Sequence, residues 1–306
     1  MFILKSFCSR LVEDKMIELY KGDCLEILPT LDDNSIDCVI TDPPYFIDGM
    51  GDDWNKSNLE KSSKKAKVIG SLPVGMKFDP QQGKKLYDFT LKYGKEIYRV
   101  LKPGGFFLVC NQPRLTHRST CAIEDVGFEI RDVISWVRNG QGKAFSQDHF
   151  VKRMKITDEE KVEILNSLDG RKTPQLRGCH EDIILAQKPK DGTFVENWMK
   201  WGVGLVDFSH KIDGLMAANV ISVPKPNGEE RKQSDHMTMK PILLMEHLVR
   251  LFTKEGDTVL DCFMGSGTCG VACKNLNRNF IGIELDENYY KIAKERIYGK
   301  EKERGS

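Results

Sequence analysis

The sequence predicts an α/β protein whose centre is a doubly wound, mostly parallel β-sheet. Strand-like and helix-like segments alternate over residues 16–41 and again over 241–284. Strand–helix–strand units of this kind join parallel strands, because antiparallel neighbours need only a short turn between them. The chain has 306 residues, of which 40% are hydrophobic. This length and composition are sufficient for one large core.

The individual elements follow from apolar periodicity and from their start and stop signals. Four-to-six-residue apolar runs indicate strands, whereas apolar residues at helical spacing indicate amphipathic helices. Lys102-Pro103-Gly104-Gly105 marks a turn between one helix and the following strand. We expect strands near 16–21, 36–41, 106–110, 130–137, 181–187, 258–260 and 280–284, and helices near 23–31, 86–101, 114–125, 241–252 and 268–277.

Composition excludes several classes of protein. The formal net charge is +1, so a nucleic-acid partner would have to be held by local basic patches. Nine cysteines occur without a Cys-x-x-Cys pair, which favours reduced core residues over a disulfide framework or a zinc site. No segment reaches the roughly 18 consecutive apolar residues of a membrane span, and the first residues do not resemble a signal peptide. We therefore expect a cytoplasmic protein without a membrane partner and without a metal.

Changes in polarity divide the chain into segments. Two polar stretches interrupt the alternating pattern, and one short strand lies between them. The expected organisation is an N-terminal extension at 1–15, a first core half at 16–137, a basic excursion at 138–178, a core strand at 179–188, an irregular module at 189–235, a nucleotide-binding half at 236–298 and a disordered tail at 299–306.

The first motif is Asp42-Pro43-Pro44-Tyr45, which follows the apolar run 36–41 directly. Proline donates no amide hydrogen and so ends strand pairing, and Pro44 restricts Pro43 to extended geometry. The acid and the aromatic ring are therefore held in few orientations, as a binding site requires. On these four residues alone, a simple strand-ending turn explains the pattern equally well.

The second motif lies near the end of the chain. A strand runs into Asp261-Cys262-Phe263-Met264-Gly265-Ser266-Gly267-Thr268, a helix follows, and the next strand ends at Glu284. Glycines let the backbone approach a nucleotide, the helix start offers free amides, and the acid can accept hydrogen bonds from ribose hydroxyls. A nicotinamide-dependent oxidoreductase is an alternative, but the loop lacks a full Gly-x-Gly-x-x-Gly.

Two basic segments and one aromatic segment have two interpretations each. The window 55–67 contains five lysines and one glutamate, and the excursion 138–178 also has an excess of basic residues. Such segments are solvated loops or contacts to phosphates. Trp198 and Trp201 either form the small core of their own module or belong to a recognition surface.

Parallel sheets bind ligands beyond the carboxyl ends of their strands, so the two motifs can face each other across one cleft. The pair resembles that of the S-adenosylmethionine-dependent DNA amino-methyltransferases. The order of the motifs is similar to that of the β-class, which implies a circularly permuted, seven-stranded, Rossmann-like methyltransferase sheet. It also implies duplex DNA as partner, with 189–235 as the main target-recognition region and 138–178 assisting. A homodimer and a cognate restriction endonuclease are further partners known among such proteins.

The resemblance assigns roles to individual positions. It places Asp42, Pro43, Pro44 and Tyr45 at the reacting base, and the cofactor beside Asp23, Thr238, Lys240, Asp261, Phe263, Gly265, Gly267, Thr268 and Glu284. Two departures are visible. The family's His-Pro-Thr-Gln-Lys-Pro segment is here His236-Met237-Thr238-Met239-Lys240-Pro241, and Cys262 replaces a common proline.

The implied reaction is transfer of a methyl group to the N6 amine of an adenine that is flipped out of the duplex. Family members that act on cytosine N4 usually carry serine at the position of Asp42, so this acid favours adenine. Cytosine N4, an RNA, a protein amide and a silent DNA-binding module remain as alternatives.

Overall fold

The structure, a computed structural model, describes residues 16–45, 80–140, 144–174, 176–226, 228, 230 and 239–299. Several predictions lie outside these residues: the N-terminal extension 1–15, the basic window 55–67, Thr238 and the tail from residue 300. Within the described residues, no helix is both long enough and apolar enough to cross a membrane.

Seven strands of the described residues lie at the predicted positions, and three short strands within 211–222 were not predicted. They are β1 (Ile17–Lys21), β2 (Ile36–Thr41), β3 (Leu101–Asn111), β4 (Glu129–Val137), β5 (His180–Gln187), β6 (Lys211–Ile212), β7 (Leu215–Met216), β8 (Val220–Ser222), β9 (Thr258–Asp261) and β10 (Asn279–Glu284). The main sheet of this part has the order β1-β10-β9-β2-β3-β5-β4-β8, while β6 and β7 form a separate hairpin.

The helices of the described residues lie on both faces of this sheet. They are α1 (Cys24–Ile27), α2 (Pro80–Val100), α3 (Thr116–Val126), α4 (Asp148–Val151), α5 (Asp158–Ser167), α6 (Phe194–Trp201), α7 (Ile242–Phe252), α8 (Thr268–Asn275) and α9 (Glu287–Tyr298). One apolar core contains Leu248 of α7, Ala272 of α8 and Ala293 of α9. The other contains Ile97 of α2 and Ile123 of α3, so the predicted doubly wound arrangement is confirmed.

Strand direction gives the sheet two functionally different ends. β1, β10, β9, β2 and β3 are parallel to one another, whereas β5 is antiparallel to both β3 and β4. We call the end at which β2, β9 and β10 finish the carboxyl end of the sheet, and the opposite one the amino end. Because β5 runs in the reverse direction, its first residues also lie at the carboxyl end.

Three features differ from the expectation. The described sheet has eight strands instead of seven, because β8 in the irregular module adds to Ser135–Val137 of β4. The turn at 102–105 is part of β3, where the pairing register with β2 shifts and Gly104 adopts a φ of +78°. Helices α4, α5, α6 and α9 were not predicted. Helix α6 nevertheless begins with a capping box between Thr193 and Glu196.

The described residues of the predicted recognition region 189–235 are divided between the two ends of the sheet. Helix α6 lies at the amino end, where the Asn197 amide donates hydrogen bonds to the carbonyls of Pro103 and Val203. Only later does the chain return to the carboxyl end, through β8 beside Ser135–Val137. The excursion 138–178, in contrast, leaves and re-enters the sheet at the carboxyl end, closed by a 2.8 Å bond from the Arg138 amide to the Cys179 carbonyl.

Candidate active site

The two sequence motifs meet where β2 and β9 lie side by side. Cys38 pairs with Val259 and Val39 pairs with Leu260. At the carboxyl ends of these strands, Thr41 Oγ1 donates a 2.7 Å hydrogen bond to Asp261 Oδ1, and both residues are buried. This bond joins the residue before Asp42 to the first residue of the Gly-rich loop.

The Asp42-Pro43-Pro44-Tyr45 segment is held from within and by helix α2. The Tyr45 hydroxyl donates a hydrogen bond to Asp42 Oδ1. Gln82 Nε2 of α2 donates to the Tyr45 carbonyl at 2.9 Å, and Arg114 Nη2 donates to Gln82 Oε1 at 2.8 Å. Burial and the adjacent charge of Asp42 raise the pKa of Tyr45 well above its usual range. The phenol therefore remains a neutral hydrogen-bond donor.

The second oxygen of Asp42 binds a lysine from the other half of the chain. Lys240 Nζ donates to Asp42 Oδ2 and also lies 3.4 Å from Glu181 Oε2. Glu181 is at the start of β5, and its Oε1 accepts hydrogen bonds from Arg138 Nη2 at 2.6 Å and Nε at 3.0 Å. Lys240, which was expected at the cofactor, therefore contacts the acid of the first motif.

Asp261 and Phe263 shape the start of the Gly-rich loop. Besides the Thr41 hydroxyl, Asp261 Oδ1 accepts the Phe263 amide at 3.1 Å. Burial raises the pKa of Asp261 to about 7, although these two hydrogen bonds act in the opposite direction. The Phe263 ring packs against Tyr93 and Phe89 of α2, with centroid distances of 5.2 and 5.7 Å.

The two glycines of the loop have different requirements. Both adopt positive φ, 52° at Gly265 and 78° at Gly267, a region that favours glycine. At Gly267, a Cβ atom would lie 2.9 Å from the Cβ of Ala293 on α9. Gly267 is thus needed for close packing of the loop on α9. The neighbouring Thr268 begins α8, is buried, and its Oγ1 accepts a 3.1 Å hydrogen bond from Arg296 Nη1.

Glu284 connects the Gly-rich loop to the following turn. Its Oε2 accepts the Gly265 amide and its Oε1 accepts the Asp286 amide, both at 2.8 Å. Burial raises the pKa of its carboxyl group. The Glu284 carbonyl accepts the Gly22 amide at 2.9 Å, which places Asp23 beside it. Asp23 caps α1 by accepting the Leu25 amide at 2.9 Å.

The predicted site residues are therefore found at one end of the sheet, except Thr238, which lies outside the described residues. Sequence reasoning missed Thr41, Gln82, Arg138 and Glu181. The available signal for Glu181 was an acid at the start of a predicted strand. In a parallel strand this position lies at the amino end of the sheet, so the signal places Glu181 at the cleft only if β5 is known to be antiparallel.

The loop and the acids beside it have the features that an adenosine-containing sulfonium cofactor needs. Gly265 presents backbone without a side chain, and Glu284 is a partly exposed carboxylate at the end of β10. A partly exposed aromatic ring, Phe263, lies beside Asp261. A sulfonium ion and ribose hydroxyls suit acidic and apolar neighbours, so these residues fit S-adenosylmethionine.

Comparison with known proteins identifies the family. The family model N6_N4_Mtase, described as a DNA methylase, matches residues 36–295. That span contains both motifs and most of the chain. This protein belongs to the N6/N4 DNA methylase family. The resemblance to DNA amino-methyltransferases and the predicted enzyme class are thereby confirmed.

Curated relatives of this DNA methylase are type II methyltransferases. M.HindIII of Haemophilus influenzae is 31% identical over an alignment 305 residues long. The alignment covers 91% of this chain and 94% of the relative. M2.MboI of Moraxella bovis is 25% identical, and the match covers 94% of this chain and 89% of the relative. Both matches extend across nearly the whole length of each protein, so the likeness is not restricted to the two motifs.

Solved structures share the fold of this DNA methylase. The cytosine-N4-specific PvuII DNA methyltransferase aligns with a TM-score of 0.61 at 18% identity, covering 95% of this chain and 89% of that one. The M1.HpyAVI–SAM complex aligns with a TM-score of 0.55 at 24% identity, covering 92% of this chain and 99% of that one. The predicted methyltransferase fold is confirmed. Membership of the DNA methylase family confirms the predicted cofactor, S-adenosylmethionine.

Proposed function

We propose that this DNA methylase transfers the methyl group of S-adenosylmethionine to the N6 amine of an adenine flipped out of duplex DNA. The observation that carries the proposal is the hydrogen bond between Thr41 and Asp261. It holds the base-side motif and the Gly-rich loop against each other at the carboxyl end of the sheet. A methyl donor on the loop and an amine at Asp42 then share one cleft.

The Gly-rich loop and its neighbours would hold the cofactor. Asp261, Phe263 and the backbone at Gly265 line the loop, while Glu284 accepts from the ribose hydroxyls and Asp23 lies on the adenine side. When bound, the cofactor supplies an electrophilic methyl group on sulfur. Gly267 and Thr268 support the loop through α9 and Arg296.

Asp42 orients and activates the target amine. The amine nitrogen is a weak nucleophile because its lone pair is delocalised into the ring. Hydrogen bonds from its two hydrogens to Asp42 and to a carbonyl of Pro43 or Pro44 favour a pyramidal nitrogen and aim the lone pair at the methyl carbon. Such alignment can contribute about 7–11 kcal/mol to lowering the barrier.

Charge and stacking complete the reaction. If the nitrogen–carbon bond forms as the carbon–sulfur bond breaks, the electron pair would leave with sulfur and positive charge would develop on nitrogen, which would then release a proton to solvent. The Asp42 carboxylate stabilises this charge, an effect of about 3–4 kcal/mol for one well-placed group. The Tyr45 ring stacks on the flipped base, which contributes about 1–3 kcal/mol to base binding.

The choice of adenine rests on Asp42. The fold does not distinguish the two bases, since a cytosine-N4-specific enzyme has the same architecture. A carboxylate at this position, instead of the serine of cytosine-N4 enzymes, supports N6 transfer. Cytosine N4 is therefore the second candidate.

An assay on paired DNA substrates tests the function. Two duplex DNA libraries and an RNA pool are incubated with radiolabelled S-adenosylmethionine. One library has adenine replaced by 2-aminopurine, and the other has cytosine replaced by 2-pyrimidinone, which lacks the 4-amino group. We expect label only where adenine N6 is present, identified as N6-methyladenine after digestion. Label confined to cytosine would establish the second candidate, and label on RNA but not on DNA would contradict both.

The excursion 138–178 is proposed as the main DNA-recognition surface. It begins and ends at the carboxyl end of the sheet, beside Glu181 and Arg138 of the cleft. Helix α6 of the region 189–235 lies at the other end. Trp198 is exposed there, and Trp201 Nε1 donates to Asp191 Oδ2, so both lie away from the cleft. The chain from β8 onward, by contrast, returns to the carboxyl end and could assist.

Charge removal in the excursion tests this assignment. Lys152 and Arg153 follow α4 and are exposed. Replacing both with alanine should weaken binding to duplex DNA. The slope of the logarithm of the binding constant against the logarithm of salt concentration should become shallower by about two units, because two phosphate contacts are lost. Fluorescence anisotropy at several salt concentrations measures both quantities. The matched control removes Lys95 and Lys200, which are exposed near the amino end. Equal losses in both variants would contradict the assignment.

Other partners remain proposals. A homodimer and a cognate restriction endonuclease, which the resemblance implies, stay predictions. A cytoplasmic location likewise stays a prediction. The segments proposed from sequence at 16–137, 179–188 and 236–298 likewise stay predictions.

A further inference from the structure

Lys240 occupies an unusual position for a basic residue. Its side chain is only 7% exposed, and its Nζ donates to Asp42 Oδ2. The segment that contains it precedes α7, whereas Asp42 follows β2. Burying an ammonium group is costly unless charged partners compensate. The contact therefore indicates a specific requirement for this cation at the acid of the first motif.

The surroundings of Lys240 keep it charged and in place. Burial by itself lowers the pKa of its ammonium group, but Asp42 and Glu181 outweigh this effect, and the pKa lies above its usual value. Glu181 is in turn fixed by two hydrogen bonds from Arg138. The order Arg138–Glu181–Lys240–Asp42 is thus a chain of alternating charge that links β4, β5 and the start of α7 to the catalytic acid.

We propose that Lys240 is a positioning residue for methyl transfer, which fixes Asp42 through Oδ2 and directs Oδ1 at the amine. This inference rests on the proposed function. In the structure, the Tyr45 hydroxyl donates to Oδ1, so the two oxygens have different partners. The incoming amine exchanges with the Tyr45 hydroxyl at Oδ1, while Lys240 remains on Oδ2. The exchange frees Tyr45 to stack on the base without releasing Asp42.

The arrangement also sets the charges around Asp42. The titratable and charged groups that face this site are Tyr45, Cys110, Glu181, Lys240 and Asp261. Burial keeps the Cys110 thiol neutral by raising its pKa. Lys240 is thus the cation in direct contact with Asp42. Without it, Oδ2 loses its charged partner, and the carboxylate is no longer held where it stabilises the developing cation.

The test compares Lys240→Met, Lys240→Arg and Glu181→Gln with the wild-type chain. Methionine keeps the length and packing of the lysine stem but has no charge. We expect Lys240→Met to lower kcat on an adenine-containing duplex by about ten- to a hundredfold, as for a lost hydrogen bond to a charged group. Glu181→Gln should show a smaller change of the same sign, and Lys240→Arg should recover part of the activity.

Binding of S-adenosylmethionine separates this role from a cofactor contact. Isothermal titration calorimetry on each variant should give a Kd within about twofold of wild type, which also reports a folded loop. A weakened Kd with unchanged kcat at saturating cofactor would overturn the positioning role and return Lys240 to the cofactor. Unchanged kcat in Lys240→Met would overturn it as well. Failure of the wild-type chain to methylate adenine would instead contradict the proposed function.

Discussion

Replacing Asp42 with alanine should abolish methyl transfer while leaving the binding of S-adenosylmethionine nearly unchanged. The carboxylate holds one amine hydrogen and stabilises the positive charge on nitrogen. Loss of one such group lowers kcat by about a hundred- to a thousandfold, and loss of alignment adds to this. Single-turnover transfer to an adenine-containing duplex measures the chemical step. Calorimetric titration measures cofactor affinity, which depends on the loop around Gly265 and Glu284.

Two further variants sharpen this experiment. Asp42→Asn keeps an oxygen acceptor without the negative charge, so its activity should lie between that of wild type and that of Asp42→Ala. Asp32→Ala removes an exposed acid that precedes β2 and serves as the matched control with near-normal activity. Substantial transfer by Asp42→Ala would be incompatible with the proposed mechanism, whatever base is methylated.

The parts of the fold that depend on local pattern were predictable. Every residue of β2 is buried, as its continuous apolar character and its proline-terminated end suggested. The Gly-rich loop, the helix after it and the acid at the end of β10 likewise follow from residues close in sequence. Since β2 and β9 both end at the carboxyl end of a parallel sheet, the location of the cleft followed from strand direction alone.

The partners of the site residues were not predictable in the same way. Strand β5 contains the apolar run Ile183–Ala186, and such a run does not reveal the direction of the strand, so Glu181 could not be placed at the cleft. Lys240 meets Asp42 across 198 residues of sequence, and no local pattern encodes that contact. The short strand β8 is determined by pairing with Ser135–Val137, not by its own three residues.

A comparable long-range dependence exists at the amino end of the sheet, around Asn197. This side chain is fully buried on α6. Its Nδ2 donates to the carbonyls of Pro103 and Val203 at 3.0 and 2.9 Å, and its Oδ1 accepts the Asp191 amide at 2.8 Å. A Cβ atom on Gly104 would lie 2.2 Å from the same Nδ2 atom. Asn197 therefore joins the turn at 102–105 in β3 to the residues just before and just after α6.

Asn197→Ala should destabilise the protein strongly while leaving the carboxyl end of the sheet intact. Two carbonyls and one amide would lose their hydrogen-bond partner in a buried position. Each of these groups that water cannot reach lowers the free energy of unfolding by about 1–3 kcal/mol. We expect the free energy of unfolding, measured by urea denaturation, to fall by about 2–4 kcal/mol.

Asn219→Ala is the matched control, because this exposed side chain makes one 3.3 Å hydrogen bond to Asp132. Its replacement should lower the free energy of unfolding by less than about 0.5 kcal/mol. Equal stability of the two variants would contradict a structural role for Asn197. Since Asn197 lies at the opposite end of the sheet from Asp42, kcat of the folded variant at low temperature should remain near that of wild type.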